Sequence, residues 1–228
     1  MSKANRRRAE ASLAMRDCRI HTAYHEAGHV VVAYWYGWWL NEDGVEIDAR
    51  WYTGMRSPVL LYTTEARVVT SMAGQMAEHK YHGLGNGRFD NEGALELLEV
   101  ARCIHRSEAI LDEESEWSGD DTDIAVVLVE DNPTITDHEY VRTLRTYQKK
   151  TRLILNKPAV WRAVMKVAEA LLDTGRLTDT EARAAIAGED IFGRGSVETL
   201  REVGLDAESL RNITLALSER SRNGADCK

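Results

Sequence analysis

Tyr24-His25-Glu26-Ala27-Gly28-His29-Val30-Val31-Val32 sets two histidines four residues apart, with a glutamate directly after the first. Residues four apart on an α-helix lie one above the other, so His25 and His29 would aim two imidazoles at one point. That arrangement suits a metal ion. Neutral imidazole binds zinc at roughly 2.0 to 2.1 Å, and a catalytic zinc takes three protein ligands and keeps a fourth position open. Two ligands are in hand and a third is needed. Glu26 would flank the open position, where a carboxylate can take the proton of a water that attacks a carbonyl, the general-base role in HExxH proteases.

The plain alternative is a chance pattern on an ordinary amphipathic helix. Residues 30–36, Val-Val-Val-Ala-Tyr-Trp-Tyr, argue against it, because they are apolar on every side and so predict a buried helix. Buried imidazoles and a buried carboxylate need partners, which a metal supplies. Gly28 leaves room for a neighbouring backbone, and Gly37 is a stop signal for a helix expected over residues 19–38.

The chain has 228 residues, enough for one sizeable core with a smaller appendage. A net charge of −8 argues against nucleic-acid binding through bulk charge. The one basic cluster, residues 3–8, reads as a solvated terminal arm. No run approaches the roughly 18 apolar residues of a membrane span, and no signal peptide is apparent, so a cytoplasmic protein without membrane contact is expected. Cys18, Cys103 and Cys227 are far apart and lack CxxC spacing, so reduced thiols are expected rather than disulfides or a cysteine zinc site.

Residues 44–61 change character. Val45, Ile47, Ala49 and Trp51 alternate with polar residues, and an apolar run follows Pro58, which predicts short strands about a turn at Thr53-Gly54. A small sheet beside the histidine helix is expected, its edge able to align an extended peptide. Helical periodicity then predicts helices over residues 64–81, 91–111, from about 118 to 131, 137–156, 160–172 and 178–186. His79 and His82, near the end of the second helix, read as ordinary surface histidines. The fold class expected is mainly α with a small β-sheet, the histidine helix packed in a helical bundle beside that sheet. The division is a flexible basic arm (1–16), a peptidase domain (17–190) and a small helical extension (191–228).

Three segments together resemble the zinc metallopeptidase domain of the FtsH-type AAA proteases. They are Ala23 to Val31 around the histidines; Ala73-Gly74-Gln75-Met76-Ala77-Glu78, similar to the family's glycine and alanine-glutamate helix; and Ser118-Gly119-Asp120-Asp121-Thr122-Asp123-Ile124. The last is similar to a Thr-Gly-x-x-Asn-Asp-Ile/Leu segment that carries the family's third zinc ligand. The resemblance spans about residues 22–186, including a similarity of residues 161–177 to the family's closing helices. It implies a zinc ion held by His25, His29 and Asp123, with Glu26 as catalytic base. Asp90, which follows Gly87 and starts a helix, is the main rival third ligand, and Glu92 and Asp121 are further options. A plainer reading makes Asp120, Asp121 and Asp123 helix-start acids on a solvated face.

The chain departs from the family in having no GxxxxGK[ST] phosphate loop and no membrane anchor, and the second and third segments stand further apart than in the family. The expectation is therefore an ATP-independent zinc metalloendopeptidase acting on unfolded or flexible polypeptides, alone, as a homo-oligomer or with a separate unfolding partner. A peptide-binding or regulatory module that keeps the fold without cutting is the alternative. A purely structural metal is disfavoured, since closed zinc sites take four protein ligands, commonly with cysteine.

Overall fold

The computed structural model describes residues 19–47, 55–56, 63–84, 91–106 and 119–195. The basic arm, the turn at Thr53-Gly54, the apolar run after Pro58, Asp90 and nearly all of the 191–228 extension lie outside these residues.

Helix α1 (Arg19–Trp35) forms where no proline or β-turn signal interrupts the chain, and it stops where Gly37 takes a left-handed φ of 76°. There Gly37 N–H donates to the Tyr34 carbonyl and Trp38 N–H to that of Ala33, each at 2.9 Å, which satisfies carbonyls the helix would leave bare. The cap ends the helix three residues earlier than residue 38. Ala23, Ala27 and every residue from Val30 to Tyr34 are fully buried, so α1 is the central element, as its apolar circumference predicts.

Three short strands follow: β1 (Trp39–Leu40), β2 (Val45–Glu46) and β3 (Met55–Arg56). Helix α2 (Thr64–Tyr81) begins at an N-cap supplied by Thr63, whose hydroxyl accepts from Ala66 N–H at 3.1 Å, and the Thr64 hydroxyl donates to Asp131. Then come α3 (Asn91–His105), α4 (Gly119–Asp131), α5 (Asp137–Leu155), α6 (Pro158–Thr174), β4 (Arg176–Leu177) and α7 (Asp179–Ala185). Pro158 separates α5 from α6 by opening α6 at its first turn, where a missing N–H costs nothing. Capping boxes start α5 (Thr136 with Glu139) and α7 (Thr178 with Glu181).

The molecule is mainly helical with a small β component, as expected. The strands, however, do not form one local sheet. Among the described residues β1 pairs antiparallel with β3, and β2 pairs antiparallel with β4, from 130 residues further on, in the register Val45↔Leu177 and Glu46↔Arg176. Alternation correctly buried Val45 and Ile47, but it carries no information about the partner strand.

Helix α1 packs most extensively on α2 and α6; α2 in turn contacts α4 and α5, and α3 lies on α4 and α5. The tightest crossing is between α1 and α2. A Cβ on Gly28 would stand 2.5 Å from the Ala73 carbonyl oxygen and 2.8 Å from the Ala77 Cβ, so only glycine allows these backbones to meet so closely. The body does not stop at residue 190: Ile191 is fully buried, Phe192 packs beside Tyr34, and Gly193 N–H donates to the Tyr34 carbonyl at 2.8 Å. No described helix is long and apolar enough to cross a membrane.

Candidate metal site

His25 and His29 leave the same face of α1 one turn apart, their ring centroids 4.8 Å from each other, and both rings look across at α2 and the start of α4. Gly74 of α2 makes the space they occupy. A Cβ there would lie 2.2 Å from His29 Nε2 and 2.8 Å from His25 Cδ2, so any side chain at this position would take the place of the imidazoles.

Each ring is oriented through its Nδ1. His29 Nδ1 lies 2.8 Å from the Thr70 carbonyl oxygen; a carbonyl can only accept, so Nδ1 carries the proton and Nε2 keeps its lone pair for other use. His25 Nδ1 lies 3.3 Å from Oε2 of Glu78, a carboxylate buried to 4% exposure inside the α1–α2 contact. A backbone carbonyl or a carboxylate behind Nδ1 is the arrangement that fixes a metal-ligating histidine.

The two Nε2 atoms face Asp120, in the first turn of α4. Its Oδ2 lies 3.0 Å from His25 Nε2 and 3.3 Å from His29 Nε2, and the three side chains are 20%, 11% and 16% exposed for His25, His29 and Asp120. These ligand atoms all fall within 4.8 Å of one another, and among the described residues they form the one His/Cys/Asp/Glu group with the spacing of a metal site. For donor atoms about 2.0 Å from a tetrahedral metal, the tetrahedron edge is roughly 3.3 Å, so two edges of the triangle already have ligand-shell length.

Charge couples the same groups. Burial alone would lower the basicity of His25, but hydrogen bonds to Asp120 and Glu78, with the charges of Asp120 and Glu26, outweigh it and lift the imidazole from 6.5 to about 10. Burial would raise Asp120, yet the charges and hydrogen bonds of His29 and His25 carry it far below the ordinary carboxylate range. Burial would also raise Glu78, and its hydrogen bond and charge contact with His25 lower it instead.

The sequence reading brings both histidines to the site and misses the parts played there by Asp120 and Glu78. His25 and His29 converge as expected, and Glu26, directly after His25, is half-buried outside the ligand group but near enough for its charge to act on His25. Asp123, which the family resemblance favoured as third ligand, is not brought to the histidines. It is exposed, on the outer face of α4 that also carries Glu130, and Asp120 stands at the site instead. Of the rivals, Asp121 is buried on α4 outside the group, and Glu92 is exposed on α3. Glu78 belongs to the alanine-glutamate segment, whose sequence carries no sign of its contact with His25. Asp120 and Asp123 both have a buried apolar residue at i+4, Ile124 and Val127, so helical phase alone does not choose between them.

His79 and His82 are half-buried rather than surface residues. His82 stacks on His21 with ring centroids 3.9 Å apart, tying the start of α1 to the end of α2. Beside it Tyr24 stacks on Tyr81, also at 3.9 Å. Compared with known proteins, the chain matches no family model and no curated protein sequence, so its resemblance to the FtsH-type peptidases rests on the short segments alone.

Proposed function

We propose that the protein is a zinc-dependent metallopeptidase in which His25, His29 and Asp120 hold the ion and Glu26 is the catalytic base. The observation that carries this reading is the convergence of two Nε2 atoms and one carboxylate oxygen, with each Nδ1 already engaged by an acceptor. The fit favours zinc or a similar borderline metal: two imidazoles and one carboxylate are three ligands, the number catalytic zinc sites use. When bound, the ion would supply Lewis-acid polarisation of a carbonyl and acidify water at neutral pH.

The chain's own residues do the rest. Glu78 and the Thr70 carbonyl hold the rings so that Nε2 points inward, and Gly74 keeps the floor of the site clear. Glu26, next to His25 and not a ligand, accepts the proton of the attacking water and returns it to the leaving amine, and general acid–base help of this kind contributes typically about 10² to 10⁴ in rate. Polypeptide is the proposed substrate. Metal content by mass spectrometry on the purified protein, together with cleavage of an unfolded protein such as casein with and without added zinc, tests the reading. Near-stoichiometric zinc and chelator-sensitive cleavage are expected; a protein that binds no divalent metal would overturn it.

A further inference from the structure

Between residues 140 and 155, helix α5 carries five basic residues and no acidic one, in a chain with 37 acidic and 29 basic residues. Lys150 turns inward, where its Nζ lies 2.5 Å from Glu65. The other four, Arg142, Arg145, Lys149 and Arg152, follow each other in steps of three, four and three and form one exposed stripe. Among the described residues, no carboxylate lies within ion-pair distance of Arg145, Lys149 or Arg152. Arg145 is steadied by a neutral group, donating to Asn91 Oδ1 at 2.6 Å. Arg142 interacts by charge with Glu139, a carboxylate engaged in the Thr136 cap.

The stripe is not a convex rod of charge. Arg145, Gln148, Lys149 and Arg152 line a dimple of about 70 Å³, and Arg152 borders a larger hollow of about 220 Å³ shared with Met76, Lys80 and Leu155. Lys80 is held there by the Leu155 carbonyl at 2.6 Å and Asn156 Oδ1 at 2.9 Å. The next residue, Tyr81, stacks on Tyr24, the neighbour of His25. The cationic stripe therefore ends at a hollow against the C-terminal part of α2. Leu153, 57% exposed, adds an apolar contact along its edge.

We propose that this face of α5 docks an acidic, extended segment of a polypeptide substrate; the word substrate rests on the peptidase reading, whereas the docking does not. Steps of three and four residues place the cations about 4.5 and 6 Å apart along the helix axis. Same-side residues of an extended peptide recur at roughly 6.6 Å, so alternate Asp or Glu side chains can meet successive cations. Exposed pairs are individually weak, so affinity comes from several in series and falls with salt. Nucleic acid is the poorer match: the stripe presents no aromatic side chain for bases to stack on.

The test uses the full chain carrying E26Q, so that binding is read without turnover. Fluorescence anisotropy compares a labelled peptide with Glu at alternate positions, the same peptide with Gln there, and a single-stranded DNA of similar length. The Glu peptide is expected to bind at least about tenfold tighter than the Gln peptide at low salt, and to lose most of that preference at roughly 0.3 M salt. Adding R145E/K149E/R152E should weaken it by about tenfold or more, and R145Q/K149Q/R152Q by less, with unfolding midpoint and zinc content unchanged. Equal binding of the Glu and Gln peptides, indifference to charge reversal, or tighter binding of the DNA would overturn the proposal. Docking of the Glu peptide without cleavage by the zinc-loaded wild-type protein would support the stripe and overturn only the peptidase reading.

Discussion

Gly74 and Asp120 are the residues on which the candidate site turns, and neither belongs to the HExxH segment. Because a Cβ at position 74 would overlap His29 Nε2, Gly74→Ala is expected to abolish zinc binding and to destabilise the fold by about 1–3 kcal/mol through overpacking, checked by metal analysis and urea unfolding. Asp120→Ala should lose the metal while Asp123→Ala keeps it; the reverse pattern would return the third ligand to Asp123. Glu26→Gln keeps size and polarity but cannot accept a proton, so zinc should remain bound while turnover falls by about 10² or more. Wild-type rates in that variant would remove Glu26 from the mechanism. His25, Glu26 and His29 were legible because their relation is local, one helical turn. Asp120 was not, because three acids within four residues offer the same chemistry, and only the rotation of α4 against α1 selects among them.

At the scale of elements, the site is a junction of α1, α2 and the first turn of α4, and it holds its shape only while α1 is clamped along its length. Asp179 is one such clamp. Its Oδ1 accepts from the Tyr34 hydroxyl of α1 and from Leu40 N–H of β1, both at 2.9 Å, while Oδ2 takes Arg183 at 2.6 Å. Asp179→Ala strands these donors and is expected to cost about 1–3 kcal/mol of global stability, measured by chemical denaturation with zinc both present and absent. A change within experimental error would mean that water replaces the carboxylate without loss. Helix positions followed from periodicity; in the structure Thr63, Thr136 and Thr178 start helices, and Gly37 and Gly175 end them. Strand pairing did not follow, since two-residue ladders such as Val45↔Leu177 are set by how α1 and α6 pack.

For the whole molecule, metal, proton and stability are linked through His25. Its folded-state value is raised from 6.5 to about 10, so in the metal-free protein its stabilising contribution is complete below about pH 6.5 and is lost as pH climbs through about 10. Metal needs the unprotonated Nε2, so zinc affinity should move the other way, strengthening by about tenfold per pH unit up to about pH 10 for one displaced proton. Zinc titrations across pH 6 to 9, set beside the unfolding midpoint of the chelated protein, check both slopes; an affinity flat with pH would mean that the free site carries no proton to displace. Zinc at about 100 times its Kd should add roughly 2.7 kcal/mol of stability, removed by chelation.

The sequence by itself determined what local periodicity and composition can encode: a mostly helical chain, a fully apolar central helix and two imidazoles one turn apart. Those features depend on contacts within a few residues. Tertiary structure alone decided that Asp120 rather than Asp123 meets the histidines, that Glu78 and the Thr70 carbonyl aim them, that Gly74 must be bare, and that β2 pairs with β4. Each of these depends on the rotation and approach of elements 40 to 130 residues apart, which the packing of their buried faces fixes and no short window of sequence contains.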